Sequence, residues 1–359
     1  MSPGLKTLCL VACLQGLLSI PASPQANRFP SRLQLGTDRQ FLSAQTKAVK
    51  EKTLKDIHDL GLVWLRDAPT SGSQRAVANF VEEVAIAKQN RLKVLAIIMP
   101  MDEDYDDALP TNRCGWKEKR LSQINLKKYA ERLQALFGAV KTAGLSIDAF
   151  EFGSELDQYC YDADVPRGHA GSATSEEIKN WLRGYGRFLQ TGAAIVRDPS
   201  YFPQAKIITF GMAHSGDSHP DESFPDPARF VAMLRNVDGV NYLKDVDGYG
   251  THLYPSPNDI ANSVHHLLGE DMAALGRDKP IWITEWGFLE IRAFPNRSGQ
   301  TLPQCVQTFL NVLDEAHRDI PLGPAMYFRY DVWLTDATGS PLPQAGVLAS
   351  YMSGKPALH

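Results

Sequence analysis

Between residues 33 and 330 the chain holds eight short apolar runs, with an amphipathic helical pattern between each and the next. A chain that alternates in this way has few folds open to it. Residues 33–36 make a weak first strand with Asp38 after it, and residues 49–60 a helix closed by Gly61, a residue suited to the left-handed position past a helix end. Residues 62–65 read as a strand that runs into Arg66 and Asp67, and residues 74–91 as a helix. Residues 93–99 are the clearest buried strand, continuously apolar as parallel strands tend to be.

The pattern continues with a helix at 126–143, a strand at 149–152 that leads to Ser154 and Glu155, and a helix at 175–197 with Ser175 as its candidate cap. A strand at 206–210 leads to His214, a short helix spans 227–236, and a strand at 246–251 leads to His252 and Tyr254. A helix at 259–275 precedes the strand Ile-Trp-Ile-Thr (281–284), which ends on Glu285, Trp286 and Gly287; a helix at 302–317 and a last strand at 325–330 complete the set. Side-chain alternation along the seventh strand places Ile281, Ile283 and Glu285 on one face.

Alternating βα units in this number imply parallel strands and right-handed crossovers, closed most simply into a single (β/α)8 TIM barrel. An open doubly wound sheet is the alternative, but no glycine-rich turn follows the first strand. No internal repeat or linker divides the chain, so residues 27–359 are expected to form one domain.

Residues 1–26 stand apart. Lys6 precedes an apolar core and then small residues and prolines up to Ala26, the pattern of a secretory signal peptide too short to span a bilayer. Residues 10–13 also look like a bacterial lipoprotein box ending on Cys13, but the apolar run continues past it, so cleavage between Ala22 and Ala26 is the expected course. The mature chain is then secreted or periplasmic, without an integral span, and is expected to act as a monomer. Cys114, Cys160 and Cys305 remain, and both Cys114 and Cys160 fall in loops; a disulfide between them is expected, with Cys305 a buried thiol. No paired-cysteine or paired-histidine spacing suggests a metal. A formal charge of −4 over 359 residues argues against nucleic acid as a partner.

Chemistry in such barrels sits at the carboxyl ends of the strands. Glu155 after strand four and Glu285 after strand seven would face each other across the mouth. A retaining glycosidase needs an acid and a nucleophile about 5–5.5 Å apart. Their surroundings must push the two pKa values apart. Arg66 and Tyr254 are suited to keep Glu285 anionic, while Glu151 is expected to pair inside the barrel.

Three segments in this order, Phe-Glu-Phe-Gly-Ser-Glu (150–155), Thr-His-Leu-Tyr-Pro (251–255) and Trp-Ile-Thr-Glu-Trp-Gly (282–287), resemble those of clan-A retaining glycoside hydrolases, the (β/α)8 enzymes that include cellulases, mannanases and β-xylosidases. The strand-four segment is also similar to that of the β-glucuronidase and heparanase group. The resemblance covers residues 36–333 and implies Glu155 as acid/base and Glu285 as nucleophile, with Arg66 beside the nucleophile. It also implies that His252 and Tyr254 are the strand-six pair, that Trp333 is an aromatic platform, and that neither a cofactor nor a metal is needed. The substrate it implies is an oligo- or polysaccharide. One departure is Ser154, where the clan has an asparagine that holds the sugar 2-hydroxyl; serine there suggests a water-mediated contact, an unusual substrate or lost activity.

Other residues carry two readings. His214 is either a satisfied loop histidine or a sugar contact, and His219 reads as exposed. Trp286 and Trp333 are expected to stack on sugar, while Trp116 and Tyr159 are either packing aromatics or sugar contacts. The acidic stretch 102–107 reads as a solvated loop, and Asn296-Arg297-Ser298 is a formal glycosylation sequon. The competing functions are a carbohydrate-binding barrel without catalysis, motivated by Ser154, and an aldolase-type barrel, disfavoured because no lysine ends a strand.

Overall fold

In the computed structural model the described residues are 32–166, 174–214, 226–288, 295–336 and 338–354. The signal-peptide reading of residues 1–26, the Cys13 alternative and His219 lie outside them. Eight strands close into a barrel in sequence order: β1 Leu35–Asp38, β2 Trp64–Asp67, β3 Lys93–Ile98, β4 Ala149–Ser154, β5 Lys206–Ala213, β6 Tyr249–Leu253, β7 Ile281–Trp286 and β8 Leu322–Tyr327. Every pairing is parallel, including β8 back onto β1. The outer ring is α1 Lys47–Asp59, α2 Gln74–Gln89, α3 Leu126–Thr142, α4 Ser175–Arg197, α5 Pro227–Met233, α6 Ile260–Leu275, α7 Leu302–Ala316 and α8 Pro343–Ser353. The chain is a single (β/α)8 TIM barrel.

The core has two parts because each strand shows one face to the helices and the other to the barrel axis. The large cluster lies between sheet and helices and includes Phe80, Phe137, Phe150, Trp181, Phe210 and Phe309. The axial cluster is small: Trp64, Leu95, Ala149, Ile208, Trp282 and Met326, with the Trp64 and Trp282 rings edge to face at 5.3 Å. These residues plug the lower half of the barrel. Above them the interior turns polar, with Asp38, Arg66, Glu151, His252 and Glu285 all buried. That change from apolar to charged along the strands places the chemistry at one end.

Several boundaries move. β1 begins two residues later than expected and takes Asp38 into the strand, β6 ends two residues later, and β8 begins three residues earlier. Interstrand hydrogen bonds, not local apolarity, decide where a parallel strand starts and stops. The residues after β8 form a π-helical turn, Tyr330–Leu334. The cap of α4 is Thr174 rather than Ser175: its hydroxyl accepts from the Glu177 amide, and Glu177 reaches back to the Thr174 amide at 2.7 Å. Gly61 has φ +77°, as expected past the end of α1.

The expected single face of β7 is overturned. Ile281 and Ile283 pack toward the helices and Trp282 toward the axis. Against β6, Thr251 pairs with Ile283 but His252 pairs with Glu285, so one step on β6 spans two on β7. This bulge at Thr284 turns Glu285 onto the axial side, which strict alternation from Ile283 would have denied it.

Cys114 and Cys160 are disulfide-bonded with Cα atoms 5.8 Å apart, and Cys305 is a buried free thiol. The acidic stretch is not uniformly solvated: Asp104 is fully buried and takes two hydrogen bonds of 2.7 Å from Arg132. Asn296 is also buried, and its side-chain amide donates to the Pro257 carbonyl at 2.6 Å, so the sequon is folded inward. Among the described residues no helix is long and apolar enough to cross a membrane.

Candidate active site

Arg66, on β2, is the hub of the polar half. Its Nε donates to Glu151 Oε2 at 2.6 Å, Nη1 to Asp38 Oδ2 at 2.7 Å and to Glu285 Oε1 at 2.6 Å, and Nη2 to Ser154 Oγ at 3.2 Å. A guanidinium without solvent is costly to bury alone; three surrounding carboxyls repay it and keep the cation firmly protonated. The three acids outnumber the one cation. Burial, with the Glu285 charge adding to it, pushes Asp38 up to about 8 against the pull of Arg66. Glu151, expected to pair inside the barrel, does so.

Both oxygens of Glu285 are held by donors. Arg66 serves Oε1, and the Tyr254 hydroxyl donates to Oε2 at 2.6 Å. Burial by itself would raise this carboxyl, but the His252 and Arg66 charges and the Tyr254 hydrogen bond outweigh it and hold the pKa below the ordinary value. Glu285 is a carboxylate with a fixed orientation.

Glu155 sits differently. It follows β4 in the left-handed region at φ +52°, a conformation that a non-glycine residue keeps only when its surroundings impose it. Its amide donates to the Gly211 carbonyl at 2.9 Å, and buried Asp157 accepts from the Ala213 amide, tying the turn to β5. The Glu155 side chain is 19% exposed against 6% for Glu285. Oε1 lies 2.9 Å from His252 Nδ1, and Oε2 accepts from Gln158 at 3.1 Å. Burial works against a charge on His252, but Glu285 and Glu155 together raise its pKa. His252 Nδ1 is also 3.6 Å from Glu285 Oε2, so the imidazole stands between the two glutamates.

Ligand atoms of Glu155, His252 and Glu285 all lie within 4.8 Å of one another. Such a trio has the spacing of a metal site. Its donors are already engaged by Arg66, Tyr254 and one another, and a histidine with a raised pKa favours its proton over a cation. Acid–base chemistry suits the group better.

A cavity of about 830 Å³ opens above the two glutamates. Arg66, Ser154, Glu155, His214, His252, Tyr254 and Glu285, all expected from the sequence, line it. His214 lines the cavity, and its Nε2 is satisfied by Thr251 Oγ1 at 2.9 Å and Asp271 at 3.2 Å. Two expectations fail. Trp286 is fully buried on the helix side of β7, stacked on Phe309 at 4.3 Å and edge-on to Tyr327 at 4.6 Å, because its neighbour Glu285 takes the axial side. Trp333 lies in the π-helical turn and packs into the outer core, not into the cavity. Tyr159 is likewise buried.

The aromatic wall is made instead by Trp116, Tyr161, Phe328 and Phe41. Tyr161 was legible in principle, since it follows a cysteine whose bridge folds that loop toward the barrel mouth. Phe41 and Phe328 carry no such signal.

No protein-family model matches the chain, and no curated protein does. Solved structures do. A GH5-4 broad-specificity endoglucanase from an uncultured bacterium superposes with a TM-score of 0.60 at 12% identity, over 90% of this chain and 94% of that one. A GH5_18 protein from Streptomyces cattleya, solved with GlcNAc, gives 0.58 at 14% identity over 91% and 82%. The endo-β-1,4-mannanase from Thermotoga petrophila gives 0.56 at 12% identity over 90% and 77%. The likeness is one of fold. At these identities it extends to the barrel and not to what the barrel acts on.

Proposed function

We propose that this chain is a secreted retaining glycoside hydrolase that cleaves O-glycosidic bonds of an oligo- or polysaccharide by double displacement. The observation that carries the reading is the carboxylate pair: oxygens of Glu155 and Glu285 approach within 4.8 Å, with different surroundings. Retaining enzymes hold the two carboxyls about 5–5.5 Å apart, whereas inverting ones leave about 6.5–9.5 Å for a water. Glu285, ionised and fixed by Arg66 and Tyr254, attacks the anomeric carbon. Glu155 gives its proton to the departing oxygen as that bond breaks and a glycosyl ester forms on Glu285. The Glu155 carboxylate then takes a proton from water, whose oxygen displaces Glu285 and releases the sugar. His252, bonded to Glu155 and close to Glu285, stabilises negative charge as it shifts between them.

Solved neighbours that act on β-1,4-mannan or serve as endoglucanases make β-1,4-linked manno- and gluco-oligosaccharides the first substrates to try. The reading of residues 1–26 as a leader, together with the Cys114–Cys160 bridge, supports an oxidising destination. Ser154, hydrogen-bonded to Arg66, lines the cavity where the resemblance places a 2-hydroxyl contact. A binding-only barrel has less support, because such a barrel has no need of one acid held ionised beside a second.

Glu285→Ala and Glu155→Ala should each abolish hydrolysis while circular dichroism and melting stay those of a folded barrel. Azide added to Glu155→Ala should yield a glycosyl azide, and a 2-deoxy-2-fluoro sugar should label Glu285. Unchanged turnover in either variant removes that residue from its role.

A further inference from the structure

Among the described residues the large apolar side chains that stand well exposed include two aromatics, Phe41 and Trp116, and both line the cavity. Trp116 is 49% exposed, a large apolar surface left to water beside a catalytic acid. It is nonetheless fastened. Thr111 and Lys117 pair as an antiparallel bridge, so Trp116 sits at a hairpin end in the β3–α3 loop. The Asn112 amide donates to the Trp116 carbonyl at 2.7 Å, and Asn112 Oδ1 accepts from the Trp116 amide at 3.0 Å. Asn112 Nδ2 donates to the Cys160 carbonyl at 3.2 Å, and two residues before Trp116 the Cys114–Cys160 bridge joins the same two loops.

Directly after Cys160 comes Tyr161, whose ring centroid lies 4.8 Å from that of Trp116 with the planes at 59°. Burial raises the pKa of its hydroxyl, and of the neighbouring charges Glu155 adds most to that rise, followed by Glu285. The two bridged cysteines therefore hold a Trp–Tyr pair in the wall of the cavity that Glu155 lines, with the Glu155 charge acting on Tyr161 more strongly than that of Glu285. In the proposed reaction Glu155 delivers its proton to the departing oxygen, so the departing sugar extends along Glu155. The C–H face of a pyranose is apolar and its edges are polar, which suits an aromatic floor with a hydroxyl at its rim.

We infer that Trp116 and Tyr161, clamped by the Cys114–Cys160 disulfide, form the stacking platform for the sugar on the leaving-group side of the cleavage point. This rests on the glycosidase reading and adds a determinant of substrate choice: the site favours leaving groups that carry a sugar ring over small ones. The bridge is a positioning device, since it touches no substrate itself.

The test compares β-1,4-mannotetraose and cellotetraose with the matching β-glycosyl fluorides, whose leaving group has no ring to stack. In Trp116→Ala the ratio of kcat/KM for oligosaccharide to that for fluoride should fall about tenfold, and Trp116→Phe should recover much of it. A ratio within about twofold of wild type overturns the platform, and a damaged fold cancels in the ratio. Cys114→Ser with Cys160→Ser should lower the ratio as Trp116→Ala does; a wild-type ratio there overturns the clamp. If the wild-type protein hydrolyses none of these compounds, the glycosidase reading fails separately and calorimetric binding of the two tetrasaccharides decides. Weaker binding in Trp116→Ala then supports the platform, and equal or absent binding overturns it.

Discussion

Tyr254 and Arg66 show how single residues set the charge of the site. Removing the Tyr254 hydroxyl leaves Glu285 Oε2 without its donor, and a hydrogen bond to a charged group contributes about 1.5–3 kcal/mol. Tyr254→Phe should therefore lower kcat/KM roughly ten- to hundredfold and move the acid limb of the pH profile upward, since the nucleophile protonates more readily. A profile whose acid limb stays in place would deny Tyr254 this role. The same contacts make stability depend on pH. The folded pKa of Glu285 lies below its ordinary 4.5, so its ion pairs contribute fully above that pH and are lost as pH falls through the lower folded value. His252 works in the opposite direction. Its folded pKa lies above 6.5, so its contribution is full below that value and fades as pH rises through the folded one. At this scale the sequence spoke plainly: Arg66, Glu155, Glu285, His252 and Tyr254 all stand just inside or beyond strand ends, where an isolated charge needs a reason to be.

At the scale of elements, the strands deliver these groups through local irregularities. β4 ends by placing Glu155 in a left-handed conformation, and β7 bulges at Thr284 to bring Glu285 inward. β5 contributes an absence. A Cβ added at Gly211 would run into the His252 ring and the Thr284 hydroxyl, and the Gly211 carbonyl holds the Glu155 amide. Gly211→Ala should displace the imidazole that stands between the glutamates, with overpacking that costs about 1–3 kcal/mol in denaturant unfolding. Activity should fall far more than that loss of stability accounts for. A variant with normal kcat would mean that His252 has room that the packing denies. None of this was legible beforehand: alternation along a strand is a local rule, and a bulge exists only against a neighbouring strand. The same limit explains Trp286, whose place next to Glu285 suggested a sugar contact and whose bulged strand sends it to Phe309.

For the whole molecule, the closed sheet forces residues distant in sequence to share one mouth. The Cys114–Cys160 bridge spans 46 residues and ties the β3–α3 and β4–α4 loops together beside it. Replacing both cysteines with serine should lower the unfolding free energy by about 2–4 kcal/mol, read as a lower melting temperature that reductant no longer changes. Equal melting in both forms would mean that those loops are already held by Asn112 and its neighbours.

Sequence alone determined the barrel, because strand and helix periods are written in neighbouring residues and eight alternations leave little choice of closure. It also determined the chemical inventory: two glutamates, an arginine, a histidine and a tyrosine at strand ends, and a cysteine pair in loops. Only the tertiary structure decided which way those groups point. Whether Glu285 turns inward, whether Asp104 is solvated and whether Trp116 or Trp333 meets the cavity depend on contacts between residues far apart along the chain. Packing of that kind leaves no period to read.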